Sequence, residues 1–270
     1  MLSKIDLNDI GNERTIRFLK QIQPDSGIYK NNYEYACYIA LYLFAHRFCA
    51  GKNVLDAACG LGYGSYLLAT TACHVEGIDI DESRIAYARE KYGSGSVRYA
   101  VSEVTDTPFE NDSFDVVVSI ETFEHLRPEQ AVLFLSEVKR ILKPDGIFIL
   151  STPNKPVFDQ ITRVEDHINE MDVDSLRELF ARHFTSVQMY HQRKNVLNDM
   201  KAYYSVIKMD RFKLRQLFPR RLRKFVNRFV ARDVTREIDS ILPTVLVQKA
   251  ESPDEVKQAP IQLVVCSLPK

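Results

Sequence analysis

The stretch Asp56-Ala57-Ala58-Cys59-Gly60-Leu61-Gly62-Tyr63-Gly64, placed directly after an apolar run that starts at Lys52, decides the fold. Val54–Ala57 reads as a buried strand, and Tyr63–Thr71 reads as the helix that follows it. Gly60 and Gly62 let the backbone turn sharply between the two and come close to a ligand, while the new helix presents its free N–H groups. Dinucleotide enzymes use G-x-G-x-x-G at the same place, so a glycine turn alone discriminates poorly. Here Ser65 stands where the third glycine of that spacing would be, which argues against a dinucleotide.

Outward from this turn, short apolar runs alternate with amphipathic segments as far as about residue 152. His74–Ile80, Val97–Val101, Phe114–Ile120 and Gly146–Ser151 read as strands, and Glu82–Tyr92 and Pro128–Leu142 as helices, with a turn at Lys143–Gly146. Asp174–Phe184 reads as a further helix, and Ser186–His191 and Ile261–Ser267 as further strands. Such alternation predicts an α/β fold: a doubly wound, Rossmann-like, seven-stranded and mostly parallel sheet with helices on both faces. Four regions follow. Residues 1–50 form an N-terminal helical lid, 51–193 the core, 194–240 a basic helical insertion, and 241–270 complete the sheet.

The chain has 270 residues, enough for one α/β domain with an insertion. Lysine plus arginine and aspartate plus glutamate number 36 each, so no global field marks a nucleic-acid binder. The five cysteines lack C-x-x-C spacing, and no charged segment followed by an apolar run opens the chain. A reduced, cytoplasmic protein is expected. Ala36 to Ala50 is too short and too interrupted, by His46 and Arg47, to cross a bilayer. Tyr33, Tyr35, Tyr38 and Tyr42 read as helix packing, and His46, His74 and His183 show no partner in the sequence.

Taken together, the D-x-x-C-G-x-G turn, Asp79 at the end of the second strand and the T-P-F-x-x-x-x-F-D segment resemble the class I S-adenosylmethionine (SAM)-dependent methyltransferases. The resemblance covers residues 52–152. It implies SAM as cofactor, with Asp56 and the Gly60–Gly64 loop, Gly62 included, against the methionine part and Asp79 at the ribose. Glu103 and Val104 would meet the adenine, and Ala58, Cys59, Ile80, Ile120 and Glu121 are further cofactor-binding candidates. The family usually has aspartate where Glu103 stands.

After the fourth strand the chain reads Ser119-Ile120-Glu121-Thr122-Phe123-Glu124-His125-Leu126. The Asn/Asp-Pro-Pro-Tyr/Phe pattern of amide and base N-methyltransferases is absent. If the segment turns helical, Glu121, Glu124 and His125 share a face. His125 and Glu124 are then candidate catalytic residues, since a hydroxyl acceptor must lose its proton during attack. E-x-x-E-H also resembles the metal-binding segment of small-RNA 2'-O-methyltransferases and of ubiquinone-pathway O-methyltransferases. That resemblance implies Mg2+ on Glu121, Glu124 and His125, with His167 as fourth ligand.

Y-x-x-x-Y-E at Tyr29–Glu34 and S-T-P-N-K followed by His167-Ile168-Asn169-Glu170 are similar to bacterial methyltransferases of sugar and polysaccharide clusters. This implies O-methylation of a hydroxyl on a sugar, glycan or related small metabolite. RNA 2'-O-methylation and a SAM-binding scaffold without turnover are the alternatives, and nucleic acid is not expected as a partner. Pro219–Val230 places Leu222, Phe225, Val226, Phe229 and Val230 on one stripe opposite cations, so the Arg220–Arg232 cluster suggests association with the inner membrane surface. An ordinary packed helix or a dimer contact has the same pattern.

Overall fold

A computed structural model describes residues 13–24, 32–161, 163–192 and 241–268. Its strands are β1 (Asn53–Ala57), β2 (His74–Asp79), β3 (Val97–Val101), β4 (Phe114–Ile120), β5 (Leu142–Pro153), β6 (Ser186–Gln192), β7 (Val247–Lys249) and β8 (Ile261–Ser267). They form one sheet in the order β3-β2-β1-β4-β5-β8-β6-β7. The sheet therefore has eight strands where seven were expected. The additional strand is β7, whose three residues pair with Tyr190–Gln192 and cover what would otherwise be the free edge of β6.

From β3 through β5 the pairings are parallel, and β8 enters antiparallel to both β5 and β6. The parallel strands are apolar because both faces are covered. Val54, Val116, Val118 and Ile149 point to one core, while Leu55, Val117, Phe148 and Leu150 point to the other. The first core is closed by α2 (Asn32–His46), α3 (Tyr63–Leu68) and α4 (Glu82–Tyr92). The second is closed by α5 (Pro128–Ile141) and α7 (Val173–His183); among the described residues the other helices are α1 (Glu13–Gln21), α6 (Lys155–Phe158) and α8 (Pro253–Lys257).

Element ends follow local chemistry. Asp81 caps α4 by accepting from the Ser83 and Arg84 amides at 2.8 and 3.2 Å, and Asp172 does the same for α7. Helix α3 stops at Leu68, short of the expected Thr71, where the Thr70 hydroxyl donates to the Leu67 carbonyl at 2.7 Å. Lys143–Gly146, expected as a turn ahead of the strand, lies inside β5. Leu142 already pairs with Phe114, and the register slips before Val116 meets Ile147. Residues 194–240, with the Arg220–Arg232 stripe, lie outside the described residues. Among the described residues no helix is long and apolar enough to cross a membrane.

Candidate functional site

The parallel strands β1, β2 and β4 end on the same side of the sheet, and the chain leaves two of them under strain. Ala58, just after β1, has φ 65°, and Glu121, just after β4, has φ 52°. Left-handed backbone at a residue with a Cβ costs roughly 1–2 kcal/mol. Such strain concentrates at functional sites, and both residues here line cavities at the strand ends.

Three adjoining chambers meet at Glu121 and His125. The first, of about 460 Å3, is walled by Asp79, Ile80, Glu103, Val104 and Leu126. Ile80 is 69% exposed there, an apolar face open to a flat ring. Asp79 Oδ2 accepts from the Gly60 amide at 2.8 Å and Oδ1 from the Asp81 amide at 2.9 Å. Each oxygen keeps a second lone pair, enough for two hydroxyl donors.

The second chamber, of about 250 Å3, runs over Ala58, Cys59, Gly60 and Leu61, with Ile120 behind and Tyr38 and Tyr42 of α2 opposite. A Cβ on Gly60 would meet nothing within 4 Å, so the space above this backbone is open to a ligand. Arg84, on the walls of both these chambers, is among the described residues their one lysine or arginine.

Two expected cofactor residues stand behind these walls. Asp56 is fully buried: it accepts from the Ser65 hydroxyl at 2.6 Å and the Tyr42 hydroxyl at 3.3 Å, tying α2 to the glycine turn. Burial pushes its carboxyl up to about 7. Gly62 (φ 80°) faces inward, where a Cβ would lie 2.6 Å from that of Ala88 and 2.7 Å from the Tyr99 ring, and Tyr99 donates to its carbonyl. Ser65, at the third-glycine position, is there to serve Asp56.

The third chamber, of about 280 Å3, combines Tyr33, Glu34 and Tyr38 of α2 with Glu121, Glu124 and His125 after β4, His167, and Gln192 at the end of β6. Tyr33 and Tyr38 pack on the core, as expected of the helix, and also line this chamber. The segment after β4 does not turn into the helix that the E-x-x-E-H reading assumed. It makes a single 3-10 turn over Phe123–His125, and Glu121 turns away to accept from the Ser151 hydroxyl at 2.7 Å.

His125 Nδ1 lies 3.1 Å from the Asp166 carbonyl oxygen. A carbonyl can only accept, so Nδ1 carries the hydrogen and Nε2 keeps its lone pair. Burial holds the imidazole below its ordinary range, hence neutral near pH 7. Burial drives Glu124 well up and raises Glu121 as well, although Thr152 donates to Glu124 at 2.9 Å.

His167 donates from Nδ1 to Glu170 at 2.6 Å, and its ring stands edge-on to His125 with centroids 4.9 Å apart. Donor atoms of Glu124, His125 and His167 lie within 4.8 Å of one another, and Glu121 is outside that group. Two imidazoles and one carboxylate suit a borderline metal better than Mg2+, which prefers oxygen at 2.0–2.1 Å. The expected Mg2+ set thus fits poorly.

Arg84, Asp166 and Gln192 escaped the sequence reading, and Glu34 and Glu170 entered it only as parts of motifs. Glu170 had a signal, lying three residues after His167; Gln192 had none.

Residues 55–150 match the family described as "Methyltransferase domain". A probable S-adenosylmethionine-dependent methyltransferase of Mycolicibacterium smegmatis is 37% identical over 57% of this chain and 59% of its own length. A fatty-acid O-methyltransferase of the same organism is 35% identical over 40% of this chain and 39% of its own. The chain thus spans less than two thirds of the curated relatives it matches. A solved SAM-dependent methyltransferase from Archaeoglobus fulgidus shares the fold, with a TM-score of 0.54 over 85% of this chain and 91% of that one at 14% identity. Residues 55–150 thus match a methyltransferase domain, and the sheet around them has the fold of solved SAM-dependent methyltransferases.

Proposed function

We propose that the protein transfers the methyl group of SAM to a hydroxyl of a sugar, glycan or related small metabolite. The observation that carries this reading is the junction of three chambers at Glu121 and His125. Two of them suit the two halves of SAM. Ile80, Glu103 and Val104 flank the adenine, and Asp79 offers lone pairs to the ribose hydroxyls. Gly60 lets the methionine part lie against backbone, and Arg84 offers a cation to its carboxylate.

When bound, SAM supplies a methyl group already activated by its sulfonium, so the protein's work is alignment and exclusion of water. Glu121 stands at the junction, where a carboxylate favours the sulfonium charge. As the acceptor oxygen bonds to the methyl carbon and the sulfur–carbon bond breaks, His125 Nε2 takes the hydroxyl proton. Its Nδ1 bond to the Asp166 carbonyl fixes the ring for that step. Glu124 and His167 form the adjoining wall, and no step runs through a metal.

Incubation with SAM carrying a labelled methyl group and a panel of glycosides tests the reading. Label should pass to an acceptor in the wild type, and His125→Ala should lose transfer while still binding S-adenosylhomocysteine (SAH). Undiminished transfer by His125→Ala would remove its role as base. Transfer abolished by EDTA and restored by a divalent ion would favour a metal at Glu124, His125 and His167 instead.

A further inference from the structure

The third chamber differs from the other two in its charge. Glu34, Glu121, Glu124 and Asp166 line it, and among the described residues no lysine or arginine does. A cluster of carboxyl groups by itself identifies no ligand. The second observation is Gln192 at the end of β6. Its side chain is fully buried and lines this chamber. The amide nitrogen donates to the Cys37 carbonyl at 2.9 Å and the Val245 carbonyl at 3.2 Å. Those two acceptors fix which end of the amide is nitrogen. The oxygen is left without a donor among the described residues. A buried amide oxygen in that state costs roughly 1–3 kcal/mol, recovered when a ligand donates to it.

We infer that Gln192 accepts a hydrogen bond from a second hydroxyl of the acceptor, and that this chamber takes neutral, multiply hydroxylated molecules and rejects carboxylates and phosphates. The inference rests on the reading of the third chamber as the acceptor site. Among the described residues no lysine or arginine lines it to pair with an entering carboxylate, which would meet Asp166 on its wall. A polyol finds carboxyl groups that accept hydrogen bonds from its hydroxyls. Tyr33, Tyr38 and Phe158 supply apolar walls for the flank of a ring. The chamber's volume, about 280 Å3, is at the lower end for small-ligand cavities and admits about one ring, with its mouth open to an aglycone. The relative named as a fatty-acid O-methyltransferase would then differ from this chain in acceptor chemistry.

The test uses the full chain saturated with SAH and three probes: phenyl glucoside, phenyl glucuronide, which differs by one carboxylate, and benzyl alcohol, which has a single hydroxyl. Titration should give phenyl glucoside the highest affinity, with both others weaker by about tenfold or more. Gln192→Leu should weaken phenyl glucoside selectively and leave SAH affinity unchanged. If loss of the Cys37 and Val245 bonds unfolds that variant, the wild-type ratio of phenyl glucoside to benzyl alcohol still reads the preference for a multiply hydroxylated acceptor. Glucuronide binding as tight as glucoside, benzyl alcohol equal to glucoside, or no binding of glucoside at all overturns the inference while SAH binding stands. Failure of SAH itself to bind removes the cofactor reading, and the inference falls with it.

Discussion

The cofactor side and the acceptor side share Glu121 and His125 but are built differently. The first two chambers are made largely from backbone and short-range geometry: the turn from Ala58 to Leu61, the end of β2 and the turn at Glu103. The third gathers side chains from α2, the turn after β4, the 158–167 segment, β6 and β8. A site that depends on where the chain must bend is written in consecutive residues. One assembled from side chains more than a hundred residues apart is not.

The largest expected effect lies on the cofactor side, at Gly62. Gly62→Ala places a Cβ against Ala88 and Tyr99 at a positive φ. It should cost about 3 kcal/mol or more of stability and abolish SAH binding, read by thermal unfolding and calorimetric titration. A variant of wild-type stability would mean that this turn is not held as described.

His125→Ala tests the junction. Turnover should fall by about a hundredfold to ten-thousandfold while SAH affinity stays within about threefold. With the imidazole held below its usual range, the wild-type rate should stay level as pH falls below 6.5 and decline only when Nε2 takes a proton. A decline that begins at or above pH 6.5 would contradict the assignment.

Asp56 separates structural support from ligand contact. Its folded-state carboxyl titrates near 7, above its unfolded value of 3.8, so the folded protein holds the extra proton between them. The stabilising contribution is complete below about 4 and is lost as pH rises toward 7. Asp56→Asn should flatten that slope in urea-unfolding midpoints; an unchanged slope would show that Asp56 is not its source. The smallest effect is expected for Tyr42→Phe, which removes one long hydrogen bond to Asp56 and should cost about 1 kcal/mol or less of stability.

The parallel half of the sheet was legible because strands buried on both faces leave continuous apolar runs such as Phe114–Ile120. Strand β7 was not, since three residues carry too little pattern, and Lys143–Gly146 showed turn chemistry within a strand whose register slips. In the site, Asp79 and Gly60 were legible from spacing. Gly62 was legible as needed by the turn, whereas Asp56, expected at the cofactor, instead braces the turn from behind the chamber walls. Glu121, Glu124 and His125 were found from a helical premise that the chain does not meet: they gather because Glu121 adopts positive φ and a 3-10 turn follows. The third chamber, with Gln192 tied to α2, depends on β6 crossing to meet that helix, which no local spacing records.

The most direct test of the account is calorimetric titration of SAH into the full chain, compared with Asp79→Ala and His125→Ala. The account predicts one site of micromolar affinity, weakened about tenfold to a hundredfold by Asp79→Ala and unchanged by His125→Ala. No binding to the wild type, or equal affinity in Asp79→Ala, would contradict it.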